Sequence, residues 1–280
     1  MWHTKLCLGL MGLAPTAEEE IKLIRQTGFE GFFTGWGPGS PIKEWKALAD
    51  DLGMMYQSIH APFHRAAEMW KEGDAAQPAI DEQLACLRDC AANEVPIMVT
   101  HAFIGFKDHS PTEAGVANFE IVVKEAERLG VKIAFENTEG EEYLAALMEL
   151  GKTYKSVGFC WDTGHEVCYN YSKDMPGLYG DYLVCTHLND NLGIKDYNGE
   201  ITWHDDLHLL PFDGIGDWDS IAARLVRSNF TGPLTFELGR GSKPNRHEND
   251  CYGKLTPEEY IVDVYKRACR VAALVQKHAK

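Results

Sequence analysis

The sequence predicts an α/β fold, a single (β/α)8 barrel occupying residues 1–280. Three observations lead there. Eight short apolar runs recur along the chain, helical patterns separate them, and no low-complexity linker divides it. Strands buried on both faces read as continuous apolar stretches instead of alternating ones, as in Val157-Gly158-Phe159-Cys160-Trp161. Strands that alternate with helices form a parallel sheet, and eight such units close into a barrel. Barrels of roughly 250 residues are single domains, so this length demands no second one.

The first strand is expected over residues 6–11. Thr16 then caps a helix with Glu18, Glu19 and Glu20 in its first turn, and Gly28 stops that helix before the second strand at 31–35. The third strand, 55–60, leads into an insertion over 64–78. The fourth strand, 97–101, precedes Ser110-Pro111-Thr112-Glu113, a helix start, and Gly130 ends that helix. Strands five to seven are expected at 131–136, 157–162 and 182–187, the last followed by an insertion over 189–212. The eighth strand, 233–237, precedes a loop over 239–256 rich in Gly, Lys, Arg and Asn. Thr256-Pro257-Glu258-Glu259 then starts the last helix. All three insertions leave C-terminal strand ends, the face on which barrel enzymes build their sites.

Composition narrows the function. Hydrophobic residues make up 45% and charged residues 25% of the chain, and no stretch approaches the roughly 20 apolar residues that span a bilayer. A membrane role is therefore not expected. The apolar segment Leu6–Ala14 lacks the cleavage pattern of a secretory signal and reads better as strand. Lysine and arginine number 27 against 42 acids, a net charge of −15, which repels phosphate backbones and disfavours nucleic acid as a partner. Eight cysteines lie scattered without a Cys-x-x-Cys pair, as suits free thiols in a reducing cytoplasm. Homo-oligomerisation is left open.

Metal-ligating residue types end six successive strands, the third to the eighth: His60, His101, Glu136, Asp162, His187 and Glu237. The strand ends of a closed barrel converge on one pocket, so these residues meet there. His165, Asp206 and His208 follow a few positions later. A lone histidine at a strand end usually belongs to a loop's hydrogen bonding, but Glu136 and Glu237 each follow an apolar run, where an unpaired carboxylate costs several kcal/mol. Mixed nitrogen and oxygen ligands suit Mn, Zn, Co, Ni or Fe better than Ca. Trp36, Phe63, Phe103 and Trp203 read equally as platforms for a sugar face or as loop packing. Arg240, Lys243 and Arg246 read as solvated loop charges or as receivers of a phosphate.

Phe135-Glu136-Asn137, Trp161-Asp162-Thr163-Gly164-His165, Thr186-His187-Leu188-Asn189-Asp190 and Phe236-Glu237-Leu238, in that order, resemble the xylose isomerase-like TIM barrels. That superfamily includes sugar and sugar-phosphate isomerases and epimerases together with endonuclease IV. The ketose 3-epimerase branch implies that Glu136, Asp162, His187 and Glu237 hold one divalent metal and that the two glutamates form the acid/base pair. It also implies that His165, beside the reacting centre, and Glu142 contact substrate, although Glu139 and Glu141 crowd the same loop. His60 and His208 are expected to contact substrate as well. The implied partner is a small sugar or sugar phosphate, transformed by proton transfer through an enediolate.

Endonuclease IV supplies the rival reading. Its nine ligands for three zinc ions find matching types at His60, His101, Glu136, Asp162, His165, His187, Asp206, His208 and Glu237. Against phosphodiester chemistry on abasic DNA stand the acidic charge and the absence of a basic run beside the pocket loops. Leu209-Leu210-Pro211-Phe212-Asp213-Gly214 and Phe230-Thr231-Gly232-Pro233-Leu234 also resemble the isomerase branch. The isomerase or epimerase reading is favoured, with the number of metals left open.

Overall fold

The computed structural model describes residues 4–107, 110–194 and 201–280. Parallel strands β1 (Leu6–Gly9), β2 (Gly31–Gly35), β3 (Met55–His60), β4 (Ile97–His101), β5 (Lys132–Glu136), β6 (Val157–Asp162), β7 (Leu183–His187) and β8 (Leu234–Phe236) run in the order β7-β6-β5-β4-β3-β2-β1-β8. Closure falls between β7 and β8, where a parallel bridge joins Leu188 to Phe236. Side chains help there: the Thr186 hydroxyl accepts from the Thr235 N–H at 3.1 Å, and the Leu188 N–H donates to the Thr235 carbonyl at 2.8 Å.

Helices α1 (Ala17–Thr27), α2 (Ile42–Asp51), α3 (Gln77–Ala92), α4 (Glu113–Leu129), α5 (Glu141–Met148), α6 (Thr163–Cys168), α7 (Met175–Tyr179), α8 (Trp218–Arg227), α9 (Asp250–Gly253) and α10 (Pro257–His278) surround the barrel. Their ends are where local chemistry puts them. Thr16 and Thr112 accept from the N–H groups of Glu19 and Gly115, and Thr256 and Glu259 cap each other's backbone reciprocally. Gly130 ends α4 at φ +72°, a conformation only glycine adopts freely. No helix among the described residues is long and apolar enough to cross a membrane.

Several boundaries differ from the sequence expectation. The first strand stops at Gly9 and not at residue 11, because the Glu20 carboxylate takes the N–H groups of Met11 and Gly12 at 2.7 and 3.0 Å and draws the chain out of the ladder. The fifth strand begins at Lys132, one residue after the expected 131. Tyr182 closes a 3-10 turn, so β7 begins at Leu183. Pro233 has no N–H for the ladder, and β8 begins at Leu234, whose N–H donates to the Lys5 carbonyl at 2.9 Å. Glu237 stands just beyond β8. The 64–78 insertion contains short 3-10 helices, Ala66–Trp70 and Gly73–Ala75. Residues 195–200 of the 189–212 insertion lie outside the described residues.

Two apolar regions hold the barrel. The larger lies between strands and helices and includes Phe32, Phe119, Phe135, Trp161 and Tyr260. The smaller is a layer of Val99, Ala134, Cys160 and Cys185 inside the barrel. Strand side chains alternate faces, so residues two apart point the same way. Ser58, Val99, Ala134, Cys160, Cys185 and Thr235 stand two positions before His60, His101, Glu136, Asp162, His187 and Glu237. A floor of small buried residues thus lies beneath a layer of polar ones.

Candidate metal centre and substrate pocket

Glu136 is the hub. It is fully buried, with Oε2 at 3.1 Å from His60 Nε2 and 3.4 Å from His101 Nε2. Its Oε1 lies 3.0 Å from His187 Nδ1 and 3.5 Å from His165 Nδ1. His187 Nδ1 is also 3.0 Å from Glu237 Oε2. Asp206 bridges His165 and His208, at 3.5 Å from His165 Nε2 and 2.8 Å from His208 Nε2. Asp162 Oδ1 lies 3.9 Å from His165 Nδ1, and nine side chains named from the sequence are therefore brought together.

They fall into three groups whose ligand atoms lie within 4.8 Å of one another: Glu136, Asp162, His187 and Glu237; His60, His101 and Glu136; His165, Asp206 and His208. A divalent cation fits this donor set. His60 Nδ1 and His208 Nδ1 meet the carbonyls of Ala61 and Glu237 at 2.8 and 3.2 Å. Carbonyls only accept, so those nitrogens carry protons, and in the neutral rings each Nε2 turns a lone pair toward a carboxylate. That juxtaposition repels unless the ring protonates or a cation stands between. Asp206 Oδ1, buried in the third group, has no hydrogen-bond partner, an orphaned acceptor that a cation would satisfy.

The electrostatics agree. Burial pushes the Asp162 carboxyl up to about 6, with the Glu136 charge adding to the effect against His165. Burial would also raise Glu136, but the surrounding imidazoles, led by His187, hold it well below the usual carboxylate range. Burial opposes the imidazolium forms of His187 and His165, yet neighbouring carboxylates, first Glu237 and Asp162 respectively, raise both. Protons thus do the work that a cation would do better.

Neighbours orient these groups. Asn189 Nδ2 donates to Asp162 Oδ2 at 2.8 Å, and Asn137 pairs through its side chain with the Asp162 backbone N–H and carbonyl, each at 2.8 Å. Gly164 makes the first contact feasible, since a Cβ there would lie 1.8 Å from Asn189 Oδ1. Asp190 accepts from the backbone of Asn191, Phe212 and Gly216 and from Trp218 Nε1, anchoring the loop after β7. Phe33 stacks on His187 with centroids 4.7 Å apart. Metal ligands are commonly held by such outer hydrogen bonds.

Above the cluster opens a cavity of about 550 Å3. His60, His101, His165, Asp206, His208 and Glu237 line it, whereas Glu136 lies beneath. Trp36, Phe63 and Trp203 face it, and Phe63 stacks on His101. Phe103 instead packs against Tyr143 at 4.0 Å. Lys243 reaches the cavity, 3.7 Å from Asp206, while Arg240 binds backbone carbonyls around Tyr252 and Leu255 and Arg246 pairs with Asp205 and Glu248. Glu142 lines an adjoining cleft, and Glu139 lines both spaces. Sequence reasoning did not single out Phe33, Tyr169 or the two asparagines. For Asn137 and Asn189 the signal was present, one residue after Glu136 and two after His187.

Residues 21–256 match the family model described as xylose isomerase-like TIM barrel. A relative, the uncharacterised protein y4fM of Sinorhizobium fredii (strain NBRC 101917 / NGR234), is 38% identical over 113 residues, covering 38% of this chain and 33% of that protein. The chain thus matches only a third of that relative's length. Among solved structures, a D-tagatose 3-epimerase-like protein superposes with a TM-score of 0.72 at 16% identity, covering 98% of this chain and 99% of that one. The IOLI protein with a binding zinc atom gives 0.74 at 17% identity, with 98% and 99% covered. At such identities the superpositions establish the fold alone.

Proposed function

The chain belongs to the xylose isomerase-like TIM barrel family, and from that premise we propose that it is a metal-dependent isomerase or epimerase of a small sugar or sugar phosphate. The observation that carries this reading is the four-residue group Glu136, Asp162, His187 and Glu237, two of whose carboxylates meet one imidazole nitrogen at 3.0 Å from β5 and from the end of β8. Zinc bound by IOLI and the epimerase likeness support it.

Those four residues would hold the ion, one of Mn, Zn, Co, Ni or Fe. A divalent ion held there would supply Lewis-acid stabilisation of negative charge on the oxygens of a substrate carbonyl and its neighbouring hydroxyl. Glu237 lines the cavity, and although burial would raise its carboxyl, His187 and His208 hold it low and ionised, so it is the group assigned to take a proton from the carbon beside the carbonyl. Glu136, just beneath the cavity, is the second acid/base group. Return of the proton to the opposite face inverts the centre, and return to the adjacent carbon converts aldose to ketose. Both outcomes are isomerisations and need no oxidant. His60 and His208 bind substrate hydroxyls from the cavity wall. Lys243 is the group placed to meet a phosphate. Eight free thiols support a cytoplasmic setting.

One observation favours a second reading: the nine residues form three ligand groups, two of them sharing Glu136, as a trinuclear phosphodiesterase acting on abasic DNA would require. The charge of −15 and an aromatic cavity in which Lys243 is, among the described residues, the one lysine or arginine weigh against it. Metal-loaded protein incubated in D2O with ketoses and aldoses should incorporate deuterium at carbon. Cleavage of abasic-site DNA that chelator abolishes, with no exchange into any sugar, would replace the first reading by the second.

A further inference from the structure

The cavity above the cluster does not end at its aromatic wall. It adjoins a second space of about 690 Å3, and Phe106, Glu139 and Tyr169 line both. Tyr169 packs against His165 with centroids 5.0 Å apart and planes tilted by 32°, and meets Phe106 at 5.6 Å, so its ring stands at the junction. Glu139 shares that position, one oxygen fixed by the Gly105 N–H at 2.8 Å.

The outer space combines an aromatic face with charged hydrogen-bonding groups. Tyr171 is 65% exposed, a large apolar surface left in water, and its backbone is left-handed at φ +54° with Ser172 at +56°. Non-glycine residues rarely accept that conformation, and successive ones commonly mark a functional constraint. Hydrogen bonds from the Ser172 N–H to the Glu166 carbonyl at 2.8 Å and from the Lys173 N–H to the Asn170 carbonyl at 3.0 Å hold the turn. Glu141 and Lys173 form an ion pair on the same wall. A flat apolar ring beside paired charges is the chemistry that accepts a pyranose, whose face is apolar and whose rim is hydroxylated. The inner cavity, at about 550 Å3, already lies within the roughly 300–1,000 Å3 of small-ligand sites, so a single ring needs no second space.

We infer that the substrate is a reducing disaccharide or its ketose isomer: the reacting ring opens over the metal group, and the second ring lies in the outer cleft against Tyr171. This rests on the isomerase or epimerase reading and names its substrate class.

The test compares deuterium incorporation from D2O by the metal-loaded protein with glucose and fructose against maltose, lactose, maltulose and lactulose. The disaccharides should exceed the matched monosaccharides at least tenfold in kcat/KM. Tyr171→Ala, at an exposed turn position, should lower that ratio at least fivefold, and Tyr171→Phe should retain it. Exchange confined to monosaccharides, a ratio below ten, or a ratio indifferent to Tyr171→Ala overturns the inference while leaving the isomerase reading intact. Exchange into neither class, with exchange into other sugars or sugar phosphates present, likewise overturns the inference alone, and exchange into no ketose, aldose or sugar phosphate removes the isomerase reading with it.

Discussion

Glu136 touches four imidazoles, so its replacement disturbs more than one contact. Glu136→Gln keeps the shape but removes both the charge and the proton acceptor. Loss of a positioned acid/base group typically costs roughly a hundredfold to ten-thousandfold in rate, and kcat for deuterium exchange should fall by at least about a hundredfold. Exchange retained with metal still bound would refute the assigned role. Asn189 acts at one remove, through its 2.8 Å hydrogen bond to Asp162. Asn189→Ala should weaken metal affinity by roughly ten- to a hundredfold, the usual effect of losing such an orienting partner, measured by competition with a chelator. Affinity within twofold of the parent would show that Asp162 needs no such support.

At the scale of elements, the long C-terminal helix α10 depends on its reciprocal cap. Thr256→Ala should destabilise the fold by about 1 kcal/mol in urea denaturation, without altering the metal site, to which neither Thr256 nor Glu259 contributes a ligand. Gly164→Ala at the start of α6 should do more, because its Cβ would lie 1.8 Å from Asn189 Oδ1. It should lower both stability and metal affinity, and normal metal affinity in this variant would argue against the coupling. These elements also show what sequence patterns carry. Strand ends at His60, His101, Glu136, Asp162 and His187 were legible because a run buried on both faces ends where polar residues begin. The end of β1 was not, since it depends on the side chain of Glu20, nine residues beyond Met11 and nonlocal in its effect. The site divided in the same way. Ligand types at strand ends announced themselves, but whether Glu142 or Glu139 faces the cavity depends on the path of the loop after β5, which no periodicity encodes. Phe33 and Tyr169 look like core or loop aromatics until the barrel closes around them.

The whole molecule places its largest concentration of buried ionisable groups at one mouth of an otherwise apolar barrel. Folding therefore leaves carboxylates and imidazoles to neutralise one another, and a cation does this more completely than shared protons. Metal removal should lower the melting temperature by roughly 5–10 °C, taking about 2.7 kcal/mol for an ion at a hundred times its Kd and a few degrees per kcal/mol in a chain of this size. The charge of −15 also favours uptake of cations over phosphate polymers. The metal centre is tested most sharply by a crystal structure of metal-loaded protein with anomalous scattering collected at the edge of the added metal. A peak bounded by Glu136, Asp162, His187 and Glu237 is the expected result. Crystals in which those four side chains bind only water, with the metal elsewhere or absent, would contradict it.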